Sequence, residues 1–129
     1  LQGGRDMIQA ANEAKGDTKI LGVSLLTSLD DSDTRELYNN DFKKQFDNLI
    51  DVAMETKIDG IVCSSQELEL IKDTSLIKVV PGIRNQHTFD DQKRVMTSGE
   101  AYSKGADYIV VGRPITQAKD IGEAIKDYS

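Results

Sequence analysis

The feature that most constrains the fold of this chain is the alternation of short apolar runs with segments of helical periodicity. Four apolar runs are predicted strands, at residues 19–26, 58–63, 77–80 and 107–111. Such alternation is typical of βα units built on a parallel sheet. With 129 residues there is room for one domain, which we expect over residues 1–129. Periodicity alone leaves open whether the four strands form half of an eight-stranded barrel or a small open α/β sheet.

Helices are predicted at residues 5–15, around 34–38, and at 41–57, 65–71 and 120–128. The prediction at 41–57 is the strongest, because apolar residues recur there at the three-and-four spacing of one buried stripe. These residues are Phe42, Phe46, Leu49, Ile50 and Ala53. Inward-facing residues of the first and last helices are expected to be Met7, Ile8, Ala11, Ile121, Ala124, Ile125 and Tyr128.

The segment 81–96 is polar and long for a connection between a strand and a helix, so we expect a functional loop there. After it, Thr97 and Glu100 have the spacing of a capping box, which predicts the start of another helix.

Composition excludes several classes of function. The net charge of −6 argues against nucleic acid and anionic membranes as partners, because both need a basic surface. No stretch is long and apolar enough to span a bilayer. The single cysteine, Cys63, excludes an intramolecular disulfide framework and is consistent with the cytoplasm. With His87 as the lone histidine, we expect no zinc site and no metal.

The first residues, Leu1-Gln2-Gly3-Gly4, show no initiator Met, basic start or apolar run. We therefore expect no signal peptide, and we do not expect Leu1 to be a natural N-terminus.

Three segments at predicted strand ends carry the candidate chemistry, at residues 23–28, 79–84 and 109–116. Ligands of parallel α/β folds bind at the carboxyl ends of the strands. Gly112 allows close backbone approach to an anion, and Arg113 offers a planar fork of donors. Alone, this pair is a weak signal and is more typical of a turn with a solvated arginine. Arg84 on the preceding unit favours a phosphate site, since each charge-assisted hydrogen bond contributes about 1.5–3 kcal/mol.

A resemblance to a known family rests on strings spread over nearly the whole chain. They are Val-Pro-Gly-Ile-Arg at 80–84, Asp-Gln-Lys-Arg-Val-Met-Thr at 91–97, Gly-Ala-Asp-Tyr-Ile-Val-Val-Gly-Arg-Pro-Ile-Thr at 105–116, Leu-Thr-Ser at 26–28, Asp-Gly-Ile-Val-Cys-Ser at 59–64, and Gly3-Gly4. Taken in their order along the chain, these strings resemble the C-terminal half of bacterial orotidine 5'-phosphate decarboxylases.

The resemblance implies a fold and an activity. The family is a (β/α)8 barrel and a homodimer, so this chain would be its last four βα units with one preceding helix. The family converts orotidine monophosphate to uridine monophosphate and carbon dioxide, in pyrimidine biosynthesis, without metal or organic cofactor. The expected partner is therefore a nucleoside monophosphate.

The resemblance also assigns roles to five residues. Thr27 would contact the pyrimidine, Arg84 would sit at the base of the phosphate loop, and Gln92 would bridge base and phosphate. The Gly112 amide and Arg113 would hold the phosphate. Because the connection from Arg84 to Gln92 is about one residue shorter than in relatives, Gln86 is an alternative to Gln92.

The family's catalytic motif, Asp-x-Lys-x-x-Asp with a further Lys and Asp, has no counterpart here. Asp41, Lys43 and Asp47 come near the pattern, but the second Asp is one residue late and the segment is an amphipathic helix. His87 lies in the predicted loop, and neither it nor the serines have the partners that a nucleophilic site requires. We therefore expect no catalytic residue in this chain and no activity of the chain alone.

Three functions remain open from the sequence. The chain is part of a lyase that is complete only with its N-terminal half, or a half-barrel that binds nucleoside monophosphates without chemistry, or a related sugar-phosphate decarboxylase or synthase. Thr27 and the Pro-Gly-Ile-Arg string argue against the third. A half-barrel would expose strand edges and apolar surface, so we expect the chain to self-associate.

Overall fold

A four-stranded parallel sheet forms the centre of the computed structural model, which describes residues 1–85 and 96–128. The strands are β1 (Leu21–Val23), β2 (Gly60–Val62), β3 (Ile77–Val80) and β4 (Tyr108–Ile109), and each lies beside the next in chain order. The predicted parallel sheet of four strands is confirmed. β3 has its predicted bounds, and the other three strands are shorter than predicted.

The helices connect and flank the strands. They are α1 (Gly4–Ala14), α2 (Asp31–Tyr38), α3 (Phe42–Thr56), a 3-10 helix (Leu68–Ile71), α4 (Ser98–Ser103), α5 (Arg113–Thr116) and α6 (Ile121–Lys126). Among the described residues, none of these helices is long and apolar enough to cross a membrane.

Helix α3 forms where the apolar stripe predicts it. The Asp41 side chain caps its N-terminus by accepting from the Lys44 amide at 2.8 Å. Its C-terminus ends at Lys57, which adopts the left-handed conformation with φ 55°. Phe46, Leu49 and Ala53 are buried, so this helix contributes a large share of the core.

Capping boxes begin α2 and α4. Asp30 and Asp33 exchange side-chain and backbone bonds at the start of α2, so this acidic cluster begins a helix. Thr97 and Glu100 do the same for α4, as the sequence predicts. Bonds from the Thr97 hydroxyl and backbone amide lower the pKa of the Glu100 carboxyl.

One face of the sheet is covered by helices, and we call it the covered face. Gly22, Ile61, Cys63 and Val80 are buried on it. They form one apolar cluster with the buried residues of the helices, among which Phe46 is fully enclosed. Burial of this kind is the main stabilising contribution to such a fold.

The opposite face is apolar and largely uncovered, and we call it the open face. Val23, Val62, Val79 and Tyr108 lie side by side on it, because each is the register partner of the next. Val23 is 45% exposed and Tyr108 is 62% exposed. A near-continuous apolar run such as residues 19–26 is typical of a strand covered on both faces, but the described residues leave the open face of β1 uncovered, as expected of a half-barrel.

Several side chains predicted to face inward do not. Ile8 is buried as expected, but Met7, Ile121 and Ile125 are exposed. Met7 and Ile8 are adjacent and point about 100° apart around the helix, so only one of them can face the core. α6 has no fully buried residue; Ala124 within it and Tyr128 after its end are half-buried.

Candidate functional site

The carboxyl ends of the four strands lie at one edge of the sheet, because all four strands are parallel. Val80 and Ile109 are register partners on β3 and β4. Arg84 follows Val80 by four residues, and Arg113 follows Ile109 by four. The two arginines therefore leave neighbouring strands at the same distance along the chain, at the edge where parallel folds bind ligands.

Thr27 lies on the same edge but two strands away from Arg84. It comes four residues after Val23, the last residue of β1, and lies in a turn that is closed by a hydrogen bond of 3.0 Å from the Leu29 amide to the Leu26 carbonyl. Thr27 is half-buried. The exit of β1 is fixed to β2 by Ser24, whose amide and hydroxyl both donate to the Val62 carbonyl, at 3.0 and 2.9 Å.

At the exit of β2, a buried carboxylate closes the turn. Glu67 is 2% exposed, and its two oxygens accept from the amide and the hydroxyl of Ser64, each at 2.9 Å. This turn replaces the first half of the helix predicted at 65–71. No role was predicted for Glu67, although Ser64 and Glu67 have the same three-residue spacing as Thr97 and Glu100 at the start of α4.

The exit of β3 turns sharply and meets the segment before α4. Gly82 is buried with φ 76°, a conformation that side-chain-bearing residues rarely adopt. Beyond it, Ile83 bridges to Met96, and the Arg84 amide donates to the Met96 carbonyl at 2.9 Å. The Arg84 guanidinium donates to the Ile83 carbonyl at 2.8 Å. Arg84 is half-buried, so part of its donor set is held against its own turn.

Asn85 connects this exit to two other parts of the chain. Its side-chain oxygen accepts from the Ser98 amide at 2.8 Å, and its side-chain nitrogen donates to the Ser98 hydroxyl at 3.1 Å and to the Asp127 carbonyl. Its backbone amide donates to the Tyr128 hydroxyl at 3.2 Å. No motif or spacing in the sequence points to Asn85, because its partners lie 13 to 43 residues away along the chain.

At the exit of β4, Gly112 caps the short helix α5. Its carbonyl accepts from the amides of Ile115 and Thr116 at 2.9 and 3.0 Å. A Cβ added to Gly112 would meet no described protein atom within 4 Å, so packing does not require glycine there. Arg113 is exposed at the first position of α5.

The structure thus brings Thr27, Arg84, Gly112 and Arg113 to one edge. Gln92, its alternative Gln86, and His87 lie outside the described residues, so these predictions are untested. Within residues 1–85 and 96–128, no cluster of metal-ligating side chains is present.

The acidic and basic residues that come near the family's catalytic motif lie on a helix, as interpreted from the sequence. Lys43 and Asp47 form an ion pair at 2.5 Å on the solvent side of α3. Asp41 is the N-cap of the same helix. None of the three lies at a strand exit.

A cleft of about 490 Å³ lies elsewhere, between α1 and α3, and includes Arg5, Asn12, Glu55 and Thr56. Arg5 pairs with Glu55 at 2.6 Å, and the Asn12 side chain donates to the Thr56 carbonyl at 2.7 Å. These contacts join two helices. None of the residues expected to bind phosphate lines this cleft.

Comparison with known proteins places this geometry among relatives. A sequence model of the orotidine 5'-phosphate decarboxylase / HUMPS family matches residues 2–128. An orotidine 5'-phosphate decarboxylase of Aquifex aeolicus is 44% identical over 126 residues, which cover 93% of this chain and 54% of the relative. One from Streptococcus pneumoniae (strain Hungary19A-6) is 43% identical over 136 residues, which cover 97% and 58%.

Solved structures agree. The orotidine 5'-phosphate decarboxylase of Lactobacillus acidophilus matches with a TM-score of 0.78 at 28% identity, over 98% of this chain and 60% of that one. The enzyme of Pyrococcus horikoshii OT3 matches with a TM-score of 0.71 at 27% identity, over 97% and 55%. This chain therefore spans a little over half the length of the relatives it matches, and its sheet is the equivalent of half of their barrel.

Proposed function

Because this chain belongs to the orotidine 5'-phosphate decarboxylase / HUMPS family, we propose that it supplies the phosphate- and pyrimidine-binding half of an orotidine 5'-phosphate decarboxylase. The complete enzyme would convert orotidine monophosphate to uridine monophosphate and carbon dioxide. The observation that carries the proposal is the equal offset of Arg84 and Arg113 from the register pair Val80 and Ile109. Two guanidinium groups at neighbouring exits suit a phosphate dianion.

The proposed roles divide between the two ends of the nucleotide. Arg84, the Gly112 amide and Arg113 bind the phosphate, and Thr27, two strands away, contacts the pyrimidine. Gln92 bridges base and phosphate. The separation of Thr27 from the arginines across β2 is in keeping with a ligand that lies along the sheet edge, with its anionic end at β3 and β4.

The chemical step needs residues that this chain does not contribute. Decarboxylation leaves a carbanion that must be protonated, and the described strand exits offer arginines, a threonine and buried turns for that task. An arginine is a poor proton donor, because its guanidinium group keeps its proton in proteins. We propose that the chain provides binding without metal or cofactor, and that the remaining length of the family's barrel provides the acid.

The same proposal covers organisation and location. Residues 1–129 act as one unit, made of the last four βα units and one preceding helix, in a cytoplasmic enzyme that is a homodimer. Without the other half-barrel, the open face self-associates.

Two measurements on the 129-residue chain test the proposal. The first is decarboxylation of orotidine monophosphate, followed by loss of orotate absorbance, for which we expect no turnover. The second is calorimetric titration with uridine monophosphate, for which we expect binding that Arg113→Ala weakens about tenfold or more, as loss of a charge-assisted bond implies. Arg84→Ala should weaken it similarly.

Arg35→Ala is the matched control, because Arg35 is exposed on α2 and pairs with Asp31 in the same helix. It should leave the affinity unchanged. Turnover by the chain alone would overturn the division of roles. Absence of nucleotide binding, or equal binding by the Arg113→Ala variant, would overturn the assigned site.

A further inference from the structure

We propose that Asn85 is a positioning residue that holds Arg84 at a fixed place relative to Arg113 by joining the exit of β3 to α4 and to the end of α6. The proposal rests on the proposed function, since it takes the two arginines as ligands of one phosphate. Neither the sequence motifs nor the family resemblance assigns Asn85 a role.

The first connection runs from Asn85 to the start of α4. Ser98 is the first residue of that helix, and its amide is one of the donors that a helix N-terminus leaves without an intrahelical partner. The Asn85 side-chain oxygen accepts from this amide at 2.8 Å. The Asn85 side-chain nitrogen returns a bond to the Ser98 hydroxyl at 3.1 Å. Because a backbone amide can only donate, this pairing also fixes which end of the Asn85 amide carries the oxygen.

The second connection runs from Asn85 to the residues after α6. The Asn85 side-chain nitrogen donates its second hydrogen to the Asp127 carbonyl, and the Asn85 backbone amide donates to the Tyr128 hydroxyl. Tyr128 is half-buried and packs against the apolar cluster, so it is an anchored acceptor. Both donors of the Asn85 amide group are thus used, one on each connection.

The two connections meet at the phosphate residues. On one side, Arg84 precedes Asn85 directly, and its amide is bonded to Met96, two residues before Ser98. On the other side, α6 packs against α5, and α5 begins with Arg113. Asn85 therefore joins the exit of β3, which carries Arg84, to the end of α6, which packs against the helix that begins with Arg113.

A fixed spacing matters because two donors act together on one anion only when both are already in place. With alanine at position 85, the Arg84 turn keeps the Met96 contact and the backbone bond to Tyr128, and loses the side-chain bonds to Ser98 and Asp127. Arg84 would then be less ordered in the free chain and would have to be ordered when the phosphate binds, which lowers the affinity. The expected loss is about threefold to tenfold in affinity, as for one or two neutral hydrogen bonds.

The test is the Asn85→Ala variant of the 129-residue chain, studied by two readouts. Amide hydrogen exchange followed by NMR should show faster exchange at Ser98, with the Val80 amide region of β3 as internal reference. Titrations with uridine monophosphate and with inorganic phosphate should both show affinity about threefold to tenfold weaker. Asn40→Ala is the matched control, since the Asn40 side chain bonds Gln45 at the α2–α3 junction, and it should change neither readout.

Two further variants keep the outcome decisive. Tyr128→Phe removes only the acceptor of the Asn85 backbone amide, and should weaken phosphate binding less than Asn85→Ala does while leaving the fold intact. Asn85→Asp keeps the acceptor for Ser98 but loses both side-chain donors. It should therefore preserve slow exchange at Ser98 while weakening phosphate binding. Because the new carboxylate also repels phosphate, binding by Asn85→Asp and by the unmodified chain is compared at the same high salt concentration, which screens that repulsion. A purely structural role at α4 would leave the two affinities equal under that condition.

The outcomes separate this inference from the proposed function. If the unmodified chain binds neither ligand, the proposed function fails and the phosphate role of Asn85 fails with it. If the unmodified chain binds and the Asn85→Ala variant binds equally well, only the inference is overturned. Unchanged exchange at Ser98 in Asn85→Ala would overturn the connection itself, whatever the binding result.

Discussion

The two faces of the sheet have similar side chains and opposite surroundings. On the covered face, Ile61 and Val80 are wholly buried beneath helices. On the open face, Val23 and Tyr108 have the same apolar character but are about half exposed. A parallel sheet needs cover on both sides to bury such residues. The comparison teaches that the sequence of this sheet is suited to a closed barrel, while the helices of this chain cover only the outer side.

Removal of a buried side chain from the covered face should lower the free energy of unfolding more than any other change considered below. Phe46→Ala should reduce the free energy of unfolding by about 3–5 kcal/mol, because it removes a fully buried aromatic side chain and leaves a cavity. Urea unfolding followed by circular dichroism measures the change. Tyr108→Ala is the matched control on the open face, and it should reduce the free energy of unfolding by about 1 kcal/mol or less. Equal losses for the two variants would contradict the distinction between the faces.

The next prediction concerns what the open face does in solution. Sedimentation velocity at micromolar concentration should show oligomers of the chain, since exposed apolar sheet surface and unpaired strand edges favour association. A Val23→Glu and Tyr108→Glu double variant places charge on that face and should weaken association by about tenfold or more, equivalent to about 1.4 kcal/mol.

Leu37→Glu provides the control for that experiment. Leu37 is 62% exposed on α2, as apolar as Val23 but away from the sheet. It should leave the association unchanged. A unmodified chain that sediments as one monomeric species would argue against self-association through the open face.

The sequence predicts the helices of this fold better than it predicts the faces of its strands. Periodicity locates α3 and the Thr97 capping box because both signals are local. Strand faces are different. Within β3, Lys78 suggests a solvent-facing position and Ile77 and Val79 suggest buried ones. In the structure Lys78 is the more buried residue, on the covered face, with its ammonium bonded to the carbonyls of Thr74 and Leu76 at 3.3 Å, while Ile77 and Val79 are half-buried.

The candidate site divides in the same way. Strand order and the strand-end rule suffice to predict that Thr27, Arg84, Gly112 and Arg113 share one edge. The contacts that fix those exits are not predictable, because they join distant residues. Asn85 reaches Ser98 and Tyr128, and no spacing rule connects them. Glu67 is the intermediate case, since its bond to Ser64 is local and has a recognisable spacing.

The smallest expected effect concerns the amino end of the sheet, where α1 is attached to the covered side. Asp59 accepts from the Lys15 ammonium at 2.5 Å and from the Ile20 amide at 2.7 Å. The Lys15 bond first and the Ile20 bond second lower the pKa of the Asp59 carboxyl below its ordinary value of 3.8. A carboxyl with a lowered folded-state pKa stabilises the fold above its ordinary pKa, and that stabilisation is lost as the pH falls through the folded-state value.

Asp59→Asn should therefore lower the urea midpoint slightly at pH 7, where a partly exposed ion pair contributes little. The gap between the variant and the unmodified chain should close as the pH is lowered from 5 towards and below the folded-state pKa. Asn48→Ala, at an exposed uncharged position of α3, removes no titratable group and should differ from the unmodified chain by the same amount at every pH. A difference for Asp59→Asn that stays constant across this range would mean that its carboxylate charge does not attach α1 to the sheet.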